Sequence, residues 1–169
     1  DSGATTVLRL TEVFRQAEES SIVTNAHRIH EGLEPDLTPP KDGVGDFFFV
    51  PAEKEADVLD RISTLVTDRI PRRFGLDPRR DIQVLVPMNR SSLGARALNV
   101  HLQDTINPAR QPSVSRFGFQ YRLGDKVMQT RNDYDKDVFN GDVGFITGIQ
   151  LDDEEVTVEY DSRAVRYAF

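Results

Sequence analysis

The chain has 169 residues, 38% hydrophobic and 29% charged, with a net charge of −7, which is room for one ordinary domain or two small ones and too apolar for wholesale disorder. It has no cysteine, which excludes disulfide frameworks, thiolate metal sites and cysteine nucleophiles. The longest apolar run, Phe47 to Val50, is strand-sized and excludes a membrane-spanning helix.

The first residue is Asp1 and the last is the apolar Phe169. Natural ends are more often polar and frayed, so the expectation is a piece of a longer protein. No signal peptide opens it, and a cytoplasmic location with no membrane partner is expected. The charge is uneven. Residues 69–131 hold twelve Lys and Arg against four Asp and Glu, a surplus of eight positive charges. The remainder, nine bases against 24 acids, carries −15. Residues 132–161 alone hold ten acids and one base, Lys136. The basic segment is either a local anion-binding surface, of the kind nucleic acid uses, or a solvated face.

Thr6 to Leu10 reads as a strand, and Thr11 as the N-cap of a helix carrying Val13, Phe14 and Ala17. That helix bends or breaks near Glu19-Ser20-Ser21. Ile22, Val23, Ala26 and Ile29 continue at helical spacing, and Gly32 is the stop. Residues 33–45, with three prolines and two glycines, form a loop. Phe47 to Val50 is expected as a buried strand stopped by Pro51. Val58, Leu59, Ile62, Leu65, Val66 and Ile70 define one apolar helix face, ended by Pro71. After a turn at Gly75 to Pro78, Ile82 to Val86 is expected as a second buried strand, stopped by Pro87. Leu93, Ala97 and Val100, with Leu98, Leu102 and Ile106 beside them, mark another helix closed by Asn107-Pro108.

Alternating apolar strands and helices predict a parallel sheet covered by helices over residues 1–114. From 115 to 169 the pattern changes to short strands and tight turns. Lys126 to Thr130, Val143 to Ile149, Val156 to Tyr160 and Arg163 to Tyr167 read as antiparallel strands, and Asn140-Gly141 as a type I′ turn. This predicts a small SH3-like barrel.

There is no Walker A pattern, G-x-G-x-x-G, nucleophile elbow, HExxH or complete EF-hand loop. His27 and His30 share a helix face without a third ligand of convincing spacing. Asp133, Asp135 and Asp137 lack the glutamate that a calcium loop requires. No metal site is expected. Three features keep functional interest. Phe14-Arg15-Gln16 follows a strand, where Arg15 can reach a bound phosphate or pair with Glu12, Glu18 or Glu19. Met88-Asn89-Arg90-Ser91 joins a strand to a helix, offering free N-terminal amides, hydroxyls and a guanidinium to an anionic backbone, or a serine cap to the helix. Asn132, Tyr134 and Asn140, with Phe139, form a polar aromatic loop that can hold single-stranded bases, unless Phe139 merely packs on the core.

Read together, these segments resemble one family. Leu10-Thr-Glu-Val-Phe-Arg-Gln-Ala17 is similar to helicase motif IV of the RecD-like branch of superfamily 1, and Ser21 to Ile29 to the helix that follows it there. Ile82-Gln-Val-Leu-Val-Pro-Met-Asn-Arg90, with Gly94, Leu98-Asn99, Leu102-Gln103 and Asn107-Pro108, resembles the next block. Leu123-Gly-Asp-Lys-Val-Met-Gln-Thr-Arg-Asn132, Tyr134 and Val138-Phe-Asn-Gly-Asp-Val-Gly144 resemble a third. The resemblance implies an ATP-driven 5′–3′ DNA helicase of the exodeoxyribonuclease V alpha-chain type, acting in recombination and repair. This chain would be most of the second RecA-like domain (1–114) with an inserted SH3-like barrel (115–169).

ATP and Mg²⁺ would belong to the parent, bound mainly by the preceding RecA-like domain, with Arg15, flanked by Phe14 and Gln16, reaching the γ-phosphate. Single-stranded DNA would contact Met88, Asn89, Arg90, Ser91, Asn132, Tyr134 and Asn140. Other recombination or repair subunits are implied partners. The chain alone would be inactive and prone to self-association through an unpaired sheet edge. Two departures stand out: Asp133 where the family leads one to expect Asn, and Ser91 where Gly is common. The alternatives are a stand-alone nucleic-acid-binding module without ATPase, and the motor of a conjugative relaxase–helicase.

Overall fold

The computed structural model describes residues 20–108 and 112–169. The expected strand at Thr6 to Leu10, the helix opened by Thr11 and the Phe14-Arg15-Gln16 motif lie outside the described residues. The chain divides into two units, one ending at Pro51 and one beginning at Ala52.

In the first unit, α1 spans Ser21–His30. Ser20 is its N-cap: the hydroxyl accepts from the Val23 amide at 3.3 Å. Asp46 fixes the same corner, since its carboxylate accepts from the Ser21 amide at 3.0 Å and from the Ser20 hydroxyl. Gly32, at φ 78, follows the helix end as the sequence predicts. Asn25 is buried because its side-chain amide pairs twice with the Asp36 backbone, donating to the carbonyl at 3.0 Å and accepting from the amide at 2.7 Å.

In the second unit, α2 (Glu55–Thr64) runs through one π-helical turn at Leu65–Arg69 into α3 (Ile70–Phe74). Pro71 therefore does not end the helix, as expected from sequence. Proline has no N–H to donate and its ring crowds the carbonyl four residues back. The widened turn immediately before it accommodates both defects. The stop is Gly75, at φ 68, whose amide bonds the Pro71 carbonyl at 2.8 Å. Helix α4 spans Ala95–Ile106. Leu98 is its buried residue, whereas Val100 is exposed, so the inward face runs through Leu98 rather than Val100. Val66 is buried too, and α2 is tied to α4 by the Ser63 hydroxyl, 2.6 Å from His101 Nε2.

Six antiparallel strands follow. β1 (Ser113–Arg116) and β2 (Phe119–Arg122) form a hairpin. β3 (Lys126–Met128), β4 (Val143–Gln150), β5 (Glu155–Tyr160) and β6 (Arg163–Ala168) form a four-stranded meander in that order. Val138, Ile146, Val156, Val158, Tyr160 and Val165 make the core, with Val114 and Tyr121 of the hairpin packed against it. Each fully buried member contributes about 1.5–3 kcal/mol. Gly144 is required by space: a Cβ there would lie 2.7 Å from the Glu159 carbonyl oxygen.

The parallel sheet expected over 1–114 is not present among the described residues, where every strand pair is antiparallel. Phe47 to Val50 and Ile82 to Val86 form no strand. A strand exists only through its ladder, and neither segment has a ladder neighbour here. Phe49, Val50 and Leu85 stay exposed, Leu85 at 87%, while Phe47, Ile82, Val84 and Val86 are half-buried. The turn at Asn140-Gly141 is also not type I′. Of the two, only Gly141 has positive φ (101), the pattern of a type II turn.

Candidate nucleic-acid interface

The loop before α4 folds back over the helix start. The Ala95 amide bonds the Met88 carbonyl at 3.0 Å, and the Arg96 amide bonds the Asn89 carbonyl at 3.4 Å. These N-terminal amides are therefore occupied, and the phosphate cradle of free amides expected from sequence is reduced accordingly. Neither serine caps the helix. Gly94 is the N-cap without a side-chain bond, the Ser92 hydroxyl donates to Glu55 at 2.6 Å, and the Ser91 hydroxyl to Met88 Sδ at 3.4 Å. Gly94 is demanded by this crossing, since a Cβ would sit 2.8 Å from the Asn89 and Arg90 backbone. Ser91 holds φ 132, a region that favours glycine. Of the two residues that depart from the resemblance, Ser91 is thus under backbone strain. Met88, Asn89, Arg90 and Ser91 are all exposed, and the Arg90 guanidinium has no bonding partner among the described residues.

The second cluster lies between β3 and β4. Asp133 and Val138 pair across its base at 2.8 and 3.0 Å, and Val138 anchors the loop in the barrel core. The Asn132 amide is spent internally: Nδ2 donates to the Tyr134 hydroxyl at 3.2 Å and Oδ1 accepts from the Asn140 amide at 2.9 Å. Tyr134 is 76% exposed and meets Phe139 edge to face, with ring centroids 5.9 Å apart. Phe139 is itself 40% exposed, so it is not a core residue. The Asp133 carboxylate is neutralised locally. It accepts from the Lys136 ammonium and amide, both at 3.1 Å, and the ammonium chiefly holds it below the usual carboxylate range. Arg163 closes the loop through the Lys136 and Asp137 carbonyls. Among the described residues no hydrogen bond, ion pair or ring contact joins the two clusters, one at the start of α4 and one at the barrel loop.

A buried polar hub joins α4 to the barrel, and sequence reasoning did not assign it. Asp125 accepts from the Arg122 amide (2.7 Å), Gln103 Nε2 (2.6 Å) and Asn107 Nδ2 (2.7 Å). The Arg122 guanidinium, 6% exposed as a residue, donates to Asp104 at 2.6 Å and to the Asn107 carbonyl at 3.0 Å. Lys126 Nζ reaches the Arg80 and Ile82 carbonyls at 3.3 and 3.2 Å, and Arg80 stacks over Phe145 at 5.0 Å. The available signal was charge: residues 69–131 hold four acids, and all four are consumed internally. Asp77 caps its own turn by accepting from the Arg79 and Arg80 amides, and Asp81 accepts from the Asp77 amide. Asp104 and Asp125 serve the hub. Arg69, Arg80, Arg90, Arg96, Arg116 and Arg131 remain exposed, so the segment presents a positive outer surface.

Residues 98–160, from α4 through β5, match the SH3 domain of ATP-dependent RecD-like DNA helicases. Over 163 residues, 96% of this chain, it is 32% identical to the ATP-dependent RecD2 DNA helicase of Deinococcus radiodurans. The chain is similar to the RecD-like DNA helicases over nearly all of its length, with the SH3 domain match at residues 98–160. This RecD-like chain spans 20% of the length of that relative. Among solved structures it is similar to Pif1 helicases studied at forked double-stranded DNA, with a TM-score of 0.46 and 17% identity over 93% of this chain and 32% of theirs. It is also similar to Pif1 helicase from Bacteroides in complex with ADP-AlF3 and single-stranded DNA, with a TM-score of 0.43 and 18% identity over 95% of this chain and 33% of that one. Among the described residues of the RecD-like chain, no helix is long and apolar enough to cross a membrane.

Proposed function

We propose that this chain is the DNA-track portion of an ATP-dependent helicase that moves 5′ to 3′ on single-stranded DNA and acts in recombination and repair, in the cytoplasm. The carrying observation is the 32% identity to an ATP-dependent DNA helicase over 96% of the chain. Arg90 supports it, being exposed and without a bonding partner among the described residues. Phe47 to Val50 and Ile82 to Val86 would be strands of a RecA-like parallel sheet completed by further sequence. The exposed side chains of Phe49, Val50 and Leu85 support that reading. Met88, Asn89, Arg90 and Ser91 would line the phosphate backbone, with Tyr134 and Asn140 flanking the same strand and Asn132 holding Tyr134 in place.

ATP and Mg²⁺ would bind in the preceding RecA-like domain, with Arg15, between Phe14 and Gln16, adding positive charge to the transferred phosphoryl group. The chain alone would then hydrolyse no ATP. The test is DNA-stimulated phosphate release by the full-length protein. Arg15→Ala is expected to cut turnover by roughly 10³ or more with little change in DNA affinity, and Arg15→Lys to rescue poorly for want of the planar fork. Turnover by the isolated chain, or unchanged turnover in Arg15→Ala, overturns this assignment.

A further inference from the structure

The β1–β2 hairpin turns on two residues only, because Arg116 pairs directly with Phe119. Both turn residues have positive φ, 52 at Phe117 and 79 at Gly118, the type I′ arrangement that matches the twist of the strands. The first position of such a turn ordinarily takes Asn, Asp or Gly. A bulky side chain there is a backbone outlier, and outliers of this kind collect at binding sites. Packing does not explain this one: the Phe117 ring is 84% exposed.

The hairpin holding it is nonetheless firmly based. Val114 and Tyr121 pack on the barrel core, and Arg122 is locked in the hub with Asp104 and Asn107. The tip is polar and cationic around a single ring. Ser115, Arg116, Gly118 and Gln120 are all exposed, so among the described residues of the hairpin no apolar patch surrounds Phe117 for a protein partner to cover. The Arg116 guanidinium lies 5.1 Å from the Phe117 ring centroid. Residues 108–131 hold five bases and one acid, Asp125, whose carboxylate the hub consumes.

A flat π face beside a guanidinium, in positive surroundings, is the chemistry that takes a nucleobase on a phosphate chain. We propose that Phe117 is a base-stacking residue: it stacks on an unpaired base of a bound nucleic-acid strand while Arg116 holds an adjoining phosphate. The inference rests on the reading above that the protein tracks single-stranded DNA, and adds a contact outside both clusters described there.

The test uses the full-length protein and single-stranded oligonucleotides carrying one 2-aminopurine, a fluorescent base quenched by stacking, moved along the strand. Wild type is expected to change the fluorescence strongly at one position. Phe117→Asn is expected to lose that signal and weaken binding about tenfold, and Phe117→Trp to keep both. The same Phe117→Asn substitution installs the preferred Asn-Gly turn, so its melting temperature should equal or exceed that of wild type. Unaltered affinity and fluorescence in Phe117→Asn overturn the stacking role and leave the tracking function standing. A fall in melting temperature with no position-specific signal shows that Phe117 packs against another part of the protein, and overturns the proposal. Failure of the wild type to bind single strands overturns both.

Discussion

Asn107 Nδ2 donates to Asp125 Oδ1 at 2.7 Å, tying the residue that ends α4 to the one that precedes β3. The bond makes helix and barrel one body, because Gln103 and the Arg122 amide converge on the other oxygen of the same carboxylate. Asp125→Ala removes the acceptor of three N–H groups at once, with Gln103 Nε2 and Asn107 Nδ2 keeping only their bonds to the Gln120 and Leu123 carbonyls. We expect a loss of about 2–3 kcal/mol, since an unsatisfied half-buried donor costs on the order of 1–3 kcal/mol. Denaturant unfolding measures it, and a loss within 0.5 kcal/mol of zero, taken as roughly the level of ordinary surface substitutions, refutes the hub.

Backbone strain gives predictions of opposite sign. Ser91 at φ 132 and Ser162 at φ 70 both hold conformations that favour glycine. Asp161-Ser162 is a two-residue turn between paired Tyr160 and Arg163, so Ser162→Gly supplies the Asp-Gly sequence that type I′ turns prefer. Each serine-to-glycine change is expected to stabilise by roughly 0.5–1 kcal/mol net of glycine's greater unfolded-state freedom. Destabilisation in both variants, read from denaturant midpoints, shows that the strain argument fails.

The register of hydrophobicity was legible in the chain, and whatever depended on neighbours was not. The Val58 to Ile70 face and the β4, β5 and β6 strands follow from period 3.6 and period 2. The stop at Pro71 failed because a π turn cost less than ending the helix. Phe47 to Val50 and Ile82 to Val86 failed as strands because a ladder needs a partner that local sequence cannot supply. Asn140-Gly141 carried the strongest turn signal, yet the two-residue type I′ turns fell to Phe117-Gly118 and Asp161-Ser162. Of the candidate site, the exposure of Arg90 and Tyr134 was legible. The consumption of the Asn132 amide within its own loop, and of the α4 amides by Met88 and Asn89, needed the folded backbone. Arg15 lies outside the described residues.

Acid should unfold the chain in a defined window. Asp77 is held below the ordinary aspartate value of 3.8, first by the Arg80 amide and then by the Arg79 amide. Asp36, Asp46 and Asp133 are lowered chiefly by the Thr38, Ser20 and Lys136 side chains. A folded pKa below the unfolded one means that the folded state prefers the ionised form. Its stabilisation is complete above the unfolded pKa and is lost as pH falls through the folded one. Melting temperature is expected to be level near neutrality and to fall below about pH 4. Asp77→Asn should flatten part of that fall, and a curve identical to wild type removes Asp77 from the account.

Arg90 carries the remaining prediction. Its guanidinium has no bonding partner among the described residues and stands on a loop fixed by Gly94 and by the Met88 and Asn89 carbonyls. A phosphate contact from such a site is electrostatic and blind to base identity. Arg90→Ala in the full-length protein should therefore weaken single-strand binding equally on unrelated sequences and make the log–log salt dependence shallower by about one unit. Arg90→Lys should retain most of the slope, because counterion release counts charge rather than planar geometry. Tyr134→Ala gives the contrasting signature if its exposed ring stacks on a base: lower affinity at every salt concentration, with the slope unchanged. Salt titrations on two oligonucleotides of different sequence separate the outcomes. An unaltered slope in Arg90→Ala, or a loss confined to one sequence, takes Arg90 off the phosphate track.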